Sequence, residues 1–128
     1  MTLVALTAAG AFAVDLDEET VEPCDDAPSP PEQPALNLPR VVDAAAAGST
    51  VVALVHAKPP LLVSHDAGVT WRDSGRGLPP GRAVAIDADD PDLVAYAARN
   101  RLYVSRDGGV FWHALAVELP EIERLAFS

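Results

Sequence analysis

Apolar and polar residues alternate with a period of two along most of this chain, in runs too short for helices of ordinary length. From residue 40 onward, β-branched and small apolar runs predict strands at Val41–Ala45, Thr50–His56, Leu61–Ser64 and Val69–Arg72. A second set follows at Arg82–Asp87, Leu93–Ala98, Arg101–Ser105 and Val110–Val117. The breaks between them are Gly48-Ser49, Pro59-Pro60, Gly75–Gly81, Asp89-Asp90-Pro91 and Asn100. These residue types make turns because they accept positive φ, fix φ, or satisfy backbone donors from a short side chain. No stretch sustains a 3.6-residue apolar stripe, so the predicted class is all-β. Each set is one four-stranded antiparallel unit of about forty residues.

A repeated motif supports that division. Ser64-His65-Asp66-Ala67-Gly68-Val69-Thr70-Trp71 recurs 41 residues later as Ser105-Arg106-Asp107-Gly108-Gly109-Val110-Phe111-Trp112. Both read S-x-D-x-G-x-x-W, and a fixed spacing of this size marks a repeat architecture. An aspartate in a tight turn accepts backbone N–H bonds that would otherwise go unpaired, and Ser64 and Ser105 add a hydroxyl to the same turn. Gly68 and Gly109 allow backbone angles that a side chain penalises. Trp71 and Trp112 supply apolar area to bury the turn between sheets.

The N-terminal residues carry a fainter copy. Thr2-Leu-Val-Ala-Leu lies over Thr50-Val-Val-Ala-Leu, and Phe12-Ala-Val-Asp15 over Leu61-Leu-Val-Ser64, with Asp17 on the motif aspartate. Glu19 and Glu22 replace the glycine and the tryptophan. A hairpin turning at Ala8-Ala9-Gly10 is favoured over the other reading, a signal peptide cleaved near residue 13, because no Lys or Arg precedes the apolar stretch. On that ground a cytoplasmic location is favoured over export. The expected organisation is therefore decayed strands at 1–22, an acidic proline-rich linker at 23–39, and complete units at 40–81 and 82–121. Residues 122–128 then form the first strand of a further or closing unit. That strand is expected to join residues 2–22, which lack a first strand of their own. The joining would give a three-unit ring in one chain, or a six-unit ring when two copies share strands across the seam.

The doubled motif resembles the Asp-box, or BNR, repeat, and the chain resembles the Asp-box β-propellers, which include sialidases, sortilin-type receptors and photosystem II assembly factors. The likeness covers residues 40–128 well and 2–22 weakly. It implies two complete Asp-box blades plus one split or decayed blade, with the boxes on the blade periphery, away from any active centre. Asp66 and Asp107 are then structural. A sialidase of this kind uses an arginine cluster on the substrate carboxylate, a tyrosine nucleophile with a glutamate partner, and an aspartate acid/base. Arg40, Arg82 and Arg124 each open an inner-strand candidate 42 residues apart and are the candidates for such an anion-binding ring. The register of Leu125 and Phe127 against Val84 and Ile86 sets Arg124 opposite Ala83, and a one-residue slip reverses the face. Neither Tyr96 nor Tyr103 has a glutamate at a suggestive spacing.

Charge narrows the partners. The net charge is −10, but residues 1–39 hold eight acids and no base, while the remainder holds 11 acids and nine bases. Lys58 is the only lysine and no basic stripe exists, which disfavours nucleic acid. No apolar run is long enough to span a bilayer. Cys24 is alone, which excludes an internal disulfide and a cysteine zinc site. His56, His65 and His113 have no metal-ligand spacing, and Asp87-Ala-Asp89-Asp90-Pro-Asp92 departs from the calcium-loop pattern at Pro91, so no metal or cofactor is expected. The reading is a non-catalytic Asp-box module that serves as a scaffold or recognition surface for protein or glycan. The alternative is a sialidase-like glycoside hydrolase or a fragment of one.

Overall fold

The computed structural model describes residues 2–25, 36 and 38–127. Their regular structure is all β, in twelve strands. These are β1 (Thr2–Thr7), β2 (Gly10–Asp15), β3 (Thr20–Cys24), β4 (Val41–Ala47), β5 (Thr50–Val55) and β6 (Leu61–Ser64). They continue as β7 (Arg72–Ser74), β8 (Ala83–Ile86), β9 (Val94–Ala98), β10 (Arg101–Ser105), β11 (His113–Glu118) and β12 (Ile122–Phe127). Most of the proline-rich linker expected at 23–39 lies outside the described residues.

The strands form three four-stranded antiparallel sheets. Two follow chain order, β4 to β7 and β8 to β11; the third is split, with order β12-β1-β2-β3. In the split sheet the last strand completes the first, with Ala126 opposite Val4 and Leu125 opposite Ala5. Within this chain the C-terminal strand thus supplies the first strand that the N-terminal unit lacks.

Strand β8 packs against both β4 and β12, which places the β8–β11 sheet between the other two. The period-2 pattern of that sheet explains how it serves two neighbours at once. Ala83, Ala85, Ala95, Ala97, Leu102 and Val104 face the split sheet and join Leu3, Ala5, Val14 and Leu125 in one core. Val84, Ile86, Val94 and Tyr96 face the β4–β7 sheet and join Val52, Leu54, Leu61 and Val63 in the other. Alanine on one face lets two sheets approach closely. The larger side chains that are fully buried, such as Leu54, Leu61 and Leu102, each contribute about 1.5–3 kcal/mol.

Two local features lock the inner part of this stack. Asp43 is buried on β4, and its Oδ2 accepts the Val84 amide of β8 at 3.0 Å, while Oδ1 accepts the Ala44 amide at 2.9 Å. Gly81 leads into β8 beneath the Tyr96 ring, where a Cβ would stand 2.3 Å from ring atoms. Only glycine fits there.

The fourth strands begin later than the apolar pattern predicts. β7 starts at Arg72 and β11 at His113, so Val69–Trp71 and Val110–Trp112 belong to the turns. Aspartate is the cause: the amides of Thr70, Val110 and Phe111 are bonded to the carboxylates of Asp66 and Asp107 and are not available to a ladder. Val69 is accordingly 80% exposed despite its β-branched side chain.

Candidate functional site

The two S-x-D-x-G-x-x-W turns join the third and fourth strands of their sheets, at the edge opposite the inner strands β4 and β8. Each is organised by its serine and its aspartate. Ser64 is buried; its hydroxyl donates to Asp66 Oδ1 at 2.7 Å and accepts the Gly68 amide at 2.8 Å. Ser105 does the same with Asp107 Oδ1 at 2.8 Å and the Gly109 amide at 2.8 Å. Gly68 and Gly109 stand at φ +89° and +95°, in the region that an L side chain resists.

The aspartates differ in their last partner. Asp66 accepts the Thr70 amide at 2.9 Å and the Thr70 hydroxyl at 2.6 Å. The hydroxyl bond, then the amide and the Ser64 hydroxyl, hold the Asp66 carboxyl down at about 2. Asp107 accepts the Phe111 amide at 3.0 Å and the Val110 amide at 3.1 Å. The Phe111 amide, followed by the Ser105 hydroxyl, lowers its pKa below the ordinary carboxylate value. Both carboxylates are committed to donors of their own turn, and neither is poised to take a proton near neutrality.

The decayed third turn uses other atoms for the same task. Asp15, in the serine position, accepts the amides of Asp17 and Glu18 at 2.9 and 3.0 Å. Glu19, in the glycine position, adopts φ +54°. Its carboxylate reaches the next sheet, where Oε1 accepts the Ala116 amide at 2.8 Å and Oε2 lies 3.5 Å from His113 Nε2. Asp17 adds an ion pair with Arg106 at 3.2 Å. The repeat's lost glycine has become a clamp between sheets.

The second turn is docked against the β4–β7 sheet. Ser74 Oγ donates to the Gly109 carbonyl and accepts Trp112 Nε1–H at 3.2 Å. Trp112 meets the Tyr96 ring edge-on at 6.1 Å, and Tyr96 meets Tyr103 at 6.0 Å. Burial, and then the neighbouring Tyr103, push the Tyr96 phenol well above its ordinary value, so it remains a hydrogen-bond donor to Pro79. Between the two sheets lies an open cleft of about 520 Å³. Arg72, Asp73 and Arg76 line one side; Tyr103, Phe111 and Trp112 line the other.

The remaining candidates lie apart. Arg82 pairs with Glu121 at 3.7 Å. Arg124 is exposed and stands opposite Leu6. Arg40 sits at φ +59°, its carbonyl accepting the His56 amide, and lines a separate shallow groove with Val42 and Lys58. Among the described residues, no group of three His, Cys, Asp or Glu side chains is placed to hold a metal ion. Two features escaped sequence reasoning: Asp43, whose only signal is one acid inside an apolar strand, and the cleft, whose walls come from residues far apart in the chain.

No family model matches the sequence, and a search of curated proteins finds no match. Among solved structures the chain is similar to a GH74 enzyme of Niastella koreensis, with a TM-score of 0.52 and 22% identity. The alignment covers 92% of this chain and 18% of that one, so the chain spans less than a fifth of the enzyme's length. At this identity the likeness concerns the fold. The three sheets are propeller blades, with β12, β4 and β8 as inner strands and the motif turns on the periphery.

Proposed function

We propose that this chain is an Asp-box β-propeller module without catalytic activity of its own, presenting a recognition surface for protein or glycan. The observation that carries this reading is how the polar groups are used. Asp66 and Asp107 are spent on their own turns, while the cleft beside the second turn offers exposed aromatic and guanidinium groups. Aromatic rings and arginines in a preformed concavity are the usual materials of a binding site. Most glycosidases set two carboxylates across the scissile bond, and a sialidase pairs its tyrosine nucleophile with a glutamate and adds an aspartate acid/base. Among the described residues lining the cleft, Asp73 carries the only carboxylate.

The second reading is a glycoside hydrolase or part of one, favoured by the likeness in fold to a GH74 enzyme. The two are separated by assaying the chain against a panel of fluorogenic glycosides, while titrating neutral and acidic oligosaccharides and candidate proteins by tryptophan fluorescence. The expected result is binding without turnover. Turnover that disappears in Asp73→Asn would establish the hydrolase instead.

A further inference from the structure

The second motif turn gives up a bond that the first keeps. At the position of Thr70, whose hydroxyl donates to Asp66, it carries Phe111, whose side chain has no donor to offer and which is 76% exposed. The second turn thus presents an aromatic ring to solvent where the first keeps a hydroxyl. Phe111 stands on the lip of the interblade cleft, with Tyr103 and Trp112 further in. Trp112 is held in place by Ser74 and by the edge contact with Tyr96, so this aromatic wall is set before anything binds.

The opposite wall carries two guanidiniums, Arg72 and Arg76, and one carboxylate, Asp73. Arg76 occupies the corner of a tight turn closed by the Leu78 amide on the Gly75 carbonyl at 2.9 Å, with Gly77 at φ +89°. Its guanidinium makes no hydrogen bond or ion pair with the described residues. Among the described residues, Arg72 makes a 3.4 Å contact to His65 Nε2 and no ion pair. Aromatic rings along one wall of a cleft suit the ridged face of a polyproline II segment, whose preset φ reduces the entropy lost on binding. Guanidiniums beside them select carboxylates.

This chain carries a segment of that chemistry. Residues 25–36 contain Pro28, Pro30, Pro31 and Pro34, with Asp25, Asp26 and Glu32 and no base. We propose that the interblade cleft docks residues 25–36 of a second copy of this chain, prolines against Phe111, Trp112 and Tyr103, and carboxylates on Arg72 and Arg76. Residues 40–128 carry a charge of only −2, so the acidic end of one copy meets little repulsion from the body of the other. Reciprocal exchange gives a closed two-fold dimer. The inference rests on the recognition reading above and narrows its ligand to a peptide.

Sedimentation equilibrium of the full chain from about 1 to about 200 µM tests it. The expected result is a monomer–dimer equilibrium. An Arg72→Ala/Arg76→Ala variant and an Asp25→Asn/Asp26→Asn/Glu32→Gln variant should each weaken it about tenfold or more. Arg72, Arg76 and Asp25 are exposed, and unchanged thermal melts would confirm that the variants fold. In a mixture, Arg72→Glu/Arg76→Glu and Asp25→Lys/Asp26→Lys/Glu32→Lys chains should form a heterodimer where neither associates alone. A chain that stays monomeric throughout, or a dimer indifferent to the arginines, overturns the proposal. Capture of trigalacturonate in place of dimerisation would also overturn it while leaving the recognition reading in force, whereas glycoside turnover would remove that reading itself.

Discussion

The turns at 64–71 and 105–112 share every signature residue and nearly the same hydrogen bonds, yet they live in different surroundings. A Cβ on Gly68 would meet only the turn's own Trp71, at 3.5 Å. On Gly109 it would stand 3.1 Å from Ser74 Oγ and 3.3 Å from Val63 Cγ2, both on the neighbouring blade. The first turn folds itself; the second also joins two blades. Motif residues therefore close the local backbone, and the positions between them decide what the closed turn is used for.

The difference between the glycines gives the largest expected effect. Gly68→Ala should cost about 1–2 kcal/mol, the penalty of a left-handed backbone for a residue with a Cβ. Gly109→Ala carries the same penalty plus about 1–3 kcal/mol of overpacking against Ser74 and Val63. Urea denaturation read by tryptophan fluorescence measures both, and equal losses would mean that the second turn is not docked as described. Ser74→Ala comes next. It deletes the donor to the Gly109 carbonyl and the acceptor of Trp112 Nε1–H, for an expected loss of about 2 kcal/mol. The midpoint of the same denaturation checks it, and no change would mean that Ser74 does not couple the blades.

These contrasts also mark how far the sequence could be read. The motif spacing, the alternating strands and the missing first strand of the N-terminal unit were enough to outline three blades, one of them split. They sufficed because period 2 and turn chemistry are local. The starts of β7 and β11 were misplaced because a β-branched valine signals strand more loudly than an aspartate three residues earlier signals a turn. Propensity lost there to side-chain hydrogen bonding. The cleft was not legible at all. Arg76 and Phe111 are 35 positions apart in the chain and meet only because Ser74 and Trp112 fix one blade on the next. Arg40, Arg82 and Arg124 share a regular spacing in sequence, yet their neighbours could not be read from it: Arg82 pairs with Glu121, and Arg40 lines a groove with Val42 and Lys58.

A smaller effect separates the two turns by pH. Asp66 is held at about 2 against an ordinary value of 3.8, chiefly by the Thr70 hydroxyl. A depressed carboxylate pKa contributes stability that is present above the unfolded value and lost as pH falls through the folded one. The stability difference between the native chain and Asp66→Asn should therefore persist down to about pH 4 and shrink toward pH 2. Thr70→Ala should move the Asp66 carboxyl upward in an NMR titration. Phe111→Ala should leave Asp107 where it is, because the bond comes from the backbone amide of residue 111 and survives the substitution. Equal movement of the two carboxylates would erase the distinction drawn between the turns.

The smallest effect on stability is the most informative about purpose. Phe111→Thr would make the second turn match the first at the one place where their bonding differs. The backbone at 111 already donates to Asp107 Oδ1, so a threonine there can add the hydroxyl bond that Thr70 makes to Asp66. Little packing is lost, since the phenylalanine ring is mostly in water. The balance is a gain of about 0.5 kcal/mol or no change, against the loss expected when a buried aromatic is truncated. If stability holds or rises while self-association weakens, Phe111 is retained for what it touches in a partner. If stability falls by more than about 1 kcal/mol, the ring supports the blade junction from within, and its exposure has no functional meaning.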